Sequence, residues 1–143
     1  MKTLRIFMLS LLAVAMCAVA ANAKGKTATV ANTTVEVVVF HGVKQCETCK
    51  AIQKNSREVV EQYFKTPGKG KKVEYKVIDF SQEANKSIAE KYQIAWTSLV
   101  LIRKDAQGKE TVNNLSQFAI KNARTNTDEF RKQLVEEIKK MLK

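Results

Sequence analysis

The apolar pattern of the chain changes character several times, and each change marks an element. Ile6 to Ala21 is almost wholly apolar. Val35-Glu36-Val37-Val38-Val39-Phe40 is β-branched and nearly continuous, as in a central strand covered on both faces. From Cys49 to Phe64 the period becomes helical: Ile52, Val59, Val60, Tyr63 and Phe64 recur on one side, while Lys50, Lys54, Arg57, Glu58 and Glu61 fall elsewhere. Tyr63 and Phe64 are therefore expected in the core. Thr66-Pro67-Gly68-Lys69-Gly70 breaks the helix. Val73 to Asp79 reads as a second strand, and Ser81 as the N-cap of a helix carrying Ala84, Ile88, Ala89 and Tyr92 on one side.

Ser98-Leu99-Val100-Leu101-Ile102 predicts a third strand. Asp105-Ala106-Gln107-Gly108 is a hairpin turn, which makes Glu110-Thr111-Val112 antiparallel to that strand. Strand-helix-strand connections imply that the first two strands lie parallel and that the third does too. Asn113 to Asn126 has no clean period and reads as a long connection with room for a turn of helix near Phe118. Asn126 or Thr127 caps a last helix. Asp128 and Glu129 stand in its first turn and Lys139, Lys140 and Lys143 in its last, with Phe130, Leu134, Ile138, Met141 and Leu142 as the buried stripe. The fold class is α/β, a central mixed sheet of four to five strands flanked by helices, spanning residues 33–143.

The opening adds a destination. Lys2 and Arg5 precede the apolar run and Ala21-Asn22-Ala23 follows it, the layout of a signal peptide over residues 1–23, cut before Lys24. Cys17 leaves with it, residues 24–32 form a flexible leader, and an extracytoplasmic, periplasmic location is expected without stable membrane insertion. The chain has 25 basic and 14 acidic residues; losing Lys2 and Arg5 leaves 23 basic and a net charge of +9. The lysines are scattered, with only Lys69-Gly70-Lys71-Lys72 clustered and little aromatic interleaving, so no nucleic-acid partner is expected.

The candidate chemistry is Cys46-Glu47-Thr48-Cys49, placed where the first strand ends and a helix begins. Unpaired helix N–H groups and the positive dipole end favour a thiolate on the first sulfur. The second lies about a turn further in, close enough to form a disulfide. The same spacing suits a soft metal. In an oxidising compartment these are the only cysteines of the mature chain, and a disulfide closing so small a loop is a poor structural staple, which favours redox work. A copper-chaperone fold also places such a pair between strand and helix, but it then needs two consecutive strands, whereas here a helix follows the second strand.

The element order is that of thioredoxin, and the chain resembles the thioredoxin-like superfamily from about Val35 to Leu142. The likeness rests on Val38-Val39-Phe40-His41, on Cys46-Glu47-Thr48-Cys49-Lys50 and on Lys91-Tyr92-Gln93-Ile94-Ala95-Trp96-Thr97-Ser98-Leu99. More closely it is similar to an exported thioredoxin-like family known as the ArsF subunit of a nitrophenyl compound nitroreductase. That likeness is carried by Phe40-His41-Gly42, Cys46-x-x-Cys49-Lys50-Ala51-Ile52, Ala95-Trp96-Thr97-Ser98-Leu99, Asn114-Leu115-Ser116-Gln117-Phe118-Ala119 and Asn122-Ala123-Arg124. The resemblance implies thiol-disulfide exchange with a protein dithiol or disulfide partner, in the role of a redox subunit of a membrane or periplasmic reductase, with no cofactor. Three departures stand out. Ser98 occupies the place of the superfamily's cis-proline, so a trans bond is expected there. Val39 replaces a buried proton-relaying acid. Glu47 opposes the thiolate that Lys44 and Lys50 favour.

Cys46 is the expected nucleophile and Cys49 the resolving thiol. His41, Trp96, Thr97 and Ser98 are the partner-facing candidates, with His41 packed at the sheet's end and the other three on the loop opposite the thiols. The alternative is a non-catalytic module that holds a soft ion such as arsenite or copper between the same two sulfurs, or docks in an assembly.

Overall fold

The computed structural model describes residues 32–143; residues 1–31, on which the expected signal peptide and nearly all of the expected leader fall, lie outside the described residues. Four strands form one sheet in the order β2-β1-β3-β4: β1 (Thr33–His41), β2 (Lys71–Asp79), β3 (Ser98–Lys104) and β4 (Glu110–Asn114). The helices are α1 (Glu47–Tyr63), α2 (Lys86–Lys91, preceded by a 3-10 turn at Glu83–Asn85), α3 (Ser116–Asn122) and α4 (Thr127–Met141). The α/β class and the mixed flanked sheet are as expected, with four strands. Among the described residues no helix is long and apolar enough to cross a membrane.

The strand period of two sorts the side chains onto two faces. Val35, Val37 and Val39 of β1, with Leu99 and Leu101 of β3, pack against Ile52 and Val59 of α1, Leu115 and Ala119 at α3, and Phe130, Leu134 and Ile138 of α4. Val38, Phe40, Val100 and Ile102 face the other way, toward Ile78, Phe80, Ile88, Tyr92 and Ile94. Burial on both faces explains the unbroken apolarity of β1. Its one charge, Glu36, is met by Lys76 Nζ at 2.7 Å and Lys104 Nζ at 2.9 Å from the strands on either side.

The structure revises five local expectations. β1 and β2 are parallel, but β3 runs antiparallel to β1, pairing Ser98 with Phe40 and Lys104 with Thr34. The reason is reach. The six residues of α2 advance the chain about 9 Å, far less than the length of a strand, so β3 starts at the end where β2 stops. Ser81 caps no helix; its N–H and hydroxyl go to Asp79 Oδ1, and Ala84 is exposed. Tyr63 is 56% exposed at the last turn of α1, where the helix has passed the edge of the core, although Phe64 packs against it. Asn113–Asn126 is more than a connection: it finishes β4, and the turn of helix expected near Phe118 is α3, with Leu115, Ala119 and Ala123 buried in a row at helical spacing. The N-cap of α4 is Asn126 by position, but its side-chain amide donates to Asn122 Oδ1 rather than capping the helix.

Candidate functional site

The dithiol stands where β1 hands over to α1. β1 ends at His41, a short loop follows, and Cys46 takes the extended conformation of an N-cap (φ −79°, ψ 167°). Its carbonyl accepts the first helical bond, from Lys50 N–H at 3.0 Å, and its sulfur accepts the Cys49 N–H at 3.3 Å. The sulfur thus satisfies one of the four N–H groups that a helix start leaves unpaired. Glu47, inside the motif, is held by Lys50 Nζ at 2.8 Å. That hydrogen bond, the Lys50 charge and the more distant Arg124 keep its carboxylate below the ordinary range. Its charge is largely answered by these cations before it bears on the sulfur.

Both cysteines are free thiols, Cys46 exposed and Cys49 buried. Burial pushes the Cys49 thiol up, but hydrogen bonds from the Cys46 thiol, the Thr97 hydroxyl and the backbone of Cys46 and Cys49 outweigh it and bring it below the ordinary cysteine value. Thr97 Oγ1 lies 3.4 Å from Cys49 Sγ. Negative charge is therefore favoured on Cys49, one turn from the exposed Cys46 sulfur that accepts its N–H.

Thr97 is steadied by the segment from Asn113 to Asn126. Just after it, Leu99 is clamped from both sides, its carbonyl accepting the Leu115 N–H at 2.8 Å and its N–H donating to Ser116 Oγ at 3.2 Å. Asn114 Oδ1 in turn accepts the Ser116 N–H at 2.9 Å. The head of α3 thus locks the start of β3, and with it the residue that meets Cys49. The Leu115, Ala119 and Ala123 row was the legible signal, obscured by the polar residues around it.

Of the candidates, Cys46, Cys49 and Thr97 come together. Trp96 stands beside Thr97 with 63% of its surface exposed, and Val43, on the loop before Cys46, is 80% exposed. Ser98 is buried, its hydroxyl spent on the Trp96 carbonyl at 2.9 Å, and it makes no hydrogen bond to either sulfur. The peptide bonds of the described residues are all trans, the one before Ser98 included. His41 also bonds to neither sulfur; its Nδ1 lies 2.9 Å from the Gly42 carbonyl and 3.1 Å from Gln45 Nε2. Among the described residues no three His, Cys, Asp or Glu side chains gather as metal ligands, so a metal at this site would rest on the two sulfurs.

Sequence reasoning missed the scaffold of the loop. Gly42 leaves room for the Phe80 ring, whose Cζ lies 3.3 Å from where a Cβ would stand. Phe80 N–H donates to the His41 carbonyl at 2.9 Å. Gln45 and Gln53 are linked through their amides at 2.9 Å. No spacing rule joins these residues, because the loop belongs to neither element that it connects. No protein-family model matches the chain, and no curated protein matches it.

Proposed function

We propose that the protein is a thiol-disulfide exchange protein of the thioredoxin-like type. More particularly, it serves as the exported redox subunit of a reductase system, in keeping with its resemblance to the ArsF family. The supporting observation is the asymmetry of the pair: an exposed sulfur capping α1, which accepts the backbone N–H of Cys49, and a second, buried sulfur one turn further in. The Cys46 thiolate attacks a sulfur of the partner disulfide, forming a mixed disulfide and expelling the partner's other sulfur as a thiolate. Cys49, deprotonated, then attacks the Cys46 sulfur. The intramolecular disulfide forms, the partner leaves with both sulfurs reduced, and two electrons have passed from this protein to it. A dithiol donor restores the reduced pair by the reverse sequence. The residues 1–23 signal peptide, and with it a periplasmic setting, belong to this proposal.

Reduction of a protein disulfide by the purified chain tests it. Either Cys46→Ser or Cys49→Ser is expected to abolish turnover, and Cys49→Ser alone to accumulate mixed disulfides, because Cys46 still attacks and nothing resolves. Wild-type protein that neither turns over nor traps a partner, yet binds arsenite or copper(I) stoichiometrically, would overturn the exchange reading in favour of a binding module.

A further inference from the structure

α1 carries much of its charge in the order that its own dipole disfavours. Lys50, Lys54 and Arg57 come first along the helix, Glu58 and Glu61 follow toward its C-terminal end, and no base stands in the last turn. α4 obeys the rule, with Asp128 and Glu129 in its first turn and Lys139 and Lys140 in its last. The three α1 cations also stand at i, i+4 and i+7 with no carboxylate between them, so like charges share one side of the helix at a cost to its stability. Local rules are broken in this way chiefly at functional sites. The same three side chains line an open hollow of about 410 Å³ that Tyr75 of β2, an edge strand, completes. The Arg57 guanidinium is seated there, 5.6 Å from the centroid of the Tyr75 ring. Among the described residues neither Lys54 nor Arg57 forms an ion pair, whereas Glu58 is already paired with Arg131 of α4. Lys50 holds Glu47 at 2.8 Å, but both side chains are open to solvent, and an incoming carboxylate can exchange with such a pair.

We infer that this hollow is a docking groove for a short acidic segment beside the disulfide of the protein partner, with Lys54 and Arg57 as its anchors and Lys50 as its link to the dithiol. The inference rests on the exchange reading above for the identity of what docks, and on α1 and β2 for where. The groove begins at the right place, since Lys50 follows Cys49 directly and Cys46 is exposed one turn away. Its length fits a definite ligand. From Lys50 to Arg57 the helix advances about 10 Å, the span of three extended residues. A run of three or four Asp or Glu entering from the dithiol end therefore meets all three cations and stops short of Glu58 and Glu61. A membrane surface or a nucleic-acid backbone would spread negative charge along the whole face and be repelled by Glu61, which has no ion-pair partner among the described residues.

The test uses three synthetic peptides that differ only in charge: one cysteine, held as its mixed disulfide with thionitrobenzoate, followed by glycine and four Glu, four Gln or four Lys. The Cys46 thiolate of the reduced chain attacks the peptide sulfur and expels thionitrobenzoate, whose absorbance gives the second-order rate; Cys49 then closes the disulfide and releases the peptide thiol. At low salt the Glu peptide should react about tenfold faster than the Gln peptide, the Lys peptide should be slowest, and the ratios should fall toward one at about 0.5 M salt. Each ratio is taken within one protein, so changes in Cys46 acidity cancel. Lys54→Glu with Arg57→Glu should abolish the preference. Lys69→Glu with Lys71→Glu makes the same change in net charge at the far end of the sheet, where Lys71 pairs with Thr33, and should keep it. Lys54→Gln alone should lower the preference about threefold, and it decides the matter if the double reversal does not fold. A ratio near one in the wild type, or a preference that survives the α1 changes or is lost equally with the distant pair, overturns the groove. Carbodiimide coupling of a cysteine-free tetraglutamate peptide, mapped by mass spectrometry, reads the groove without thiol chemistry. It should select Lys54 over Lys69 and Lys71, and even coupling of all three overturns the groove. Coupling that selects Lys54 while none of the three peptides releases thionitrobenzoate would leave the groove standing and count against the exchange reading.

Discussion

On one face of the sheet α1, α3 and α4 bury sixteen apolar side chains together, whereas on the other a short turn and the six residues of α2 cover only four fully buried ones. The second face makes up the difference with charge. Lys72, Glu74, Lys76, Glu36, Lys104, Glu110 and Lys91 form a line of ion pairs that crosses all four strands and reaches α2. Beside it α2 leaves an open hollow of about 380 Å³. The dithiol belongs to the first face through α1 and to the sheet end shared by both. Its scaffold is therefore held by apolar packing, which pH and salt barely touch, while the ionic face responds to both.

The sharpest way to break that contrast is to open the apolar face. Phe130 is fully buried and stacks on Phe118, with ring centroids 5.8 Å apart and planes within 4°. Phe130→Ala removes this ring from between α3 and α4 and should cost about 3–5 kcal/mol in urea unfolding. The loss should be the same at pH 4 and pH 7, because no titrating group takes part. A loss that varied strongly with pH would mean that the two faces are not energetically separate.

The matching change on the ionic face is Glu36→Gln. Burial pushes the Glu36 carboxyl up, but hydrogen bonds and charges from Lys76 and Lys104 outweigh it and hold it below its ordinary value. A carboxyl depressed in the folded state contributes stability that is present above its unfolded pKa, about 4.3, and is lost as pH falls through the lower folded value. Because the lysine side chains are 42% and 40% exposed, solvent discounts the pair, and a cost of about 1–2 kcal/mol at pH 7 is expected. The cost should shrink toward zero as the pH is lowered below 4 and should fall with added salt. Urea titrations at several pH values measure it, and a cost that is flat with pH would show that packing, not charge, holds Glu36.

What could be read from the chain follows the same division. β1, α1 and the α4 stripe were legible because Val35 to Phe40 and the Phe130, Leu134, Ile138 and Met141 set bury what their period says they bury. The Cys46 and Cys49 placement followed from a strand stopping where a helix starts. The direction of β3 was not legible, since a strand-helix-strand pattern does not state whether its helix is long enough to bring the chain back. Glu36 looked like an interruption in an apolar strand because its two lysines lie 40 and 68 residues away. For Thr97 the structure adds what the sequence did not state: its hydroxyl donates to Cys49 Sγ.

That hydrogen bond yields the smallest and most specific expectation. Thr97→Val keeps the side chain's shape and removes one hydrogen bond to a sulfur, worth about 1 kcal/mol. The bond favours charge on Cys49 and so favours the reduced pair. Without it the disulfide form gains, and the reduction potential should move about 20 mV more negative. Equilibration with glutathione buffers reads this shift directly, and Thr97→Ser should restore the wild-type value by restoring the hydroxyl. Unfolding of the oxidised protein should be nearly unaffected, since the apolar contacts around Leu99 and Leu115 remain. If Thr97→Val instead destabilised the oxidised and reduced forms equally, the hydroxyl would be a packing element of the apolar face rather than a group acting on the sulfur, and the division between scaffold and chemistry would have to be drawn one residue nearer to Cys49.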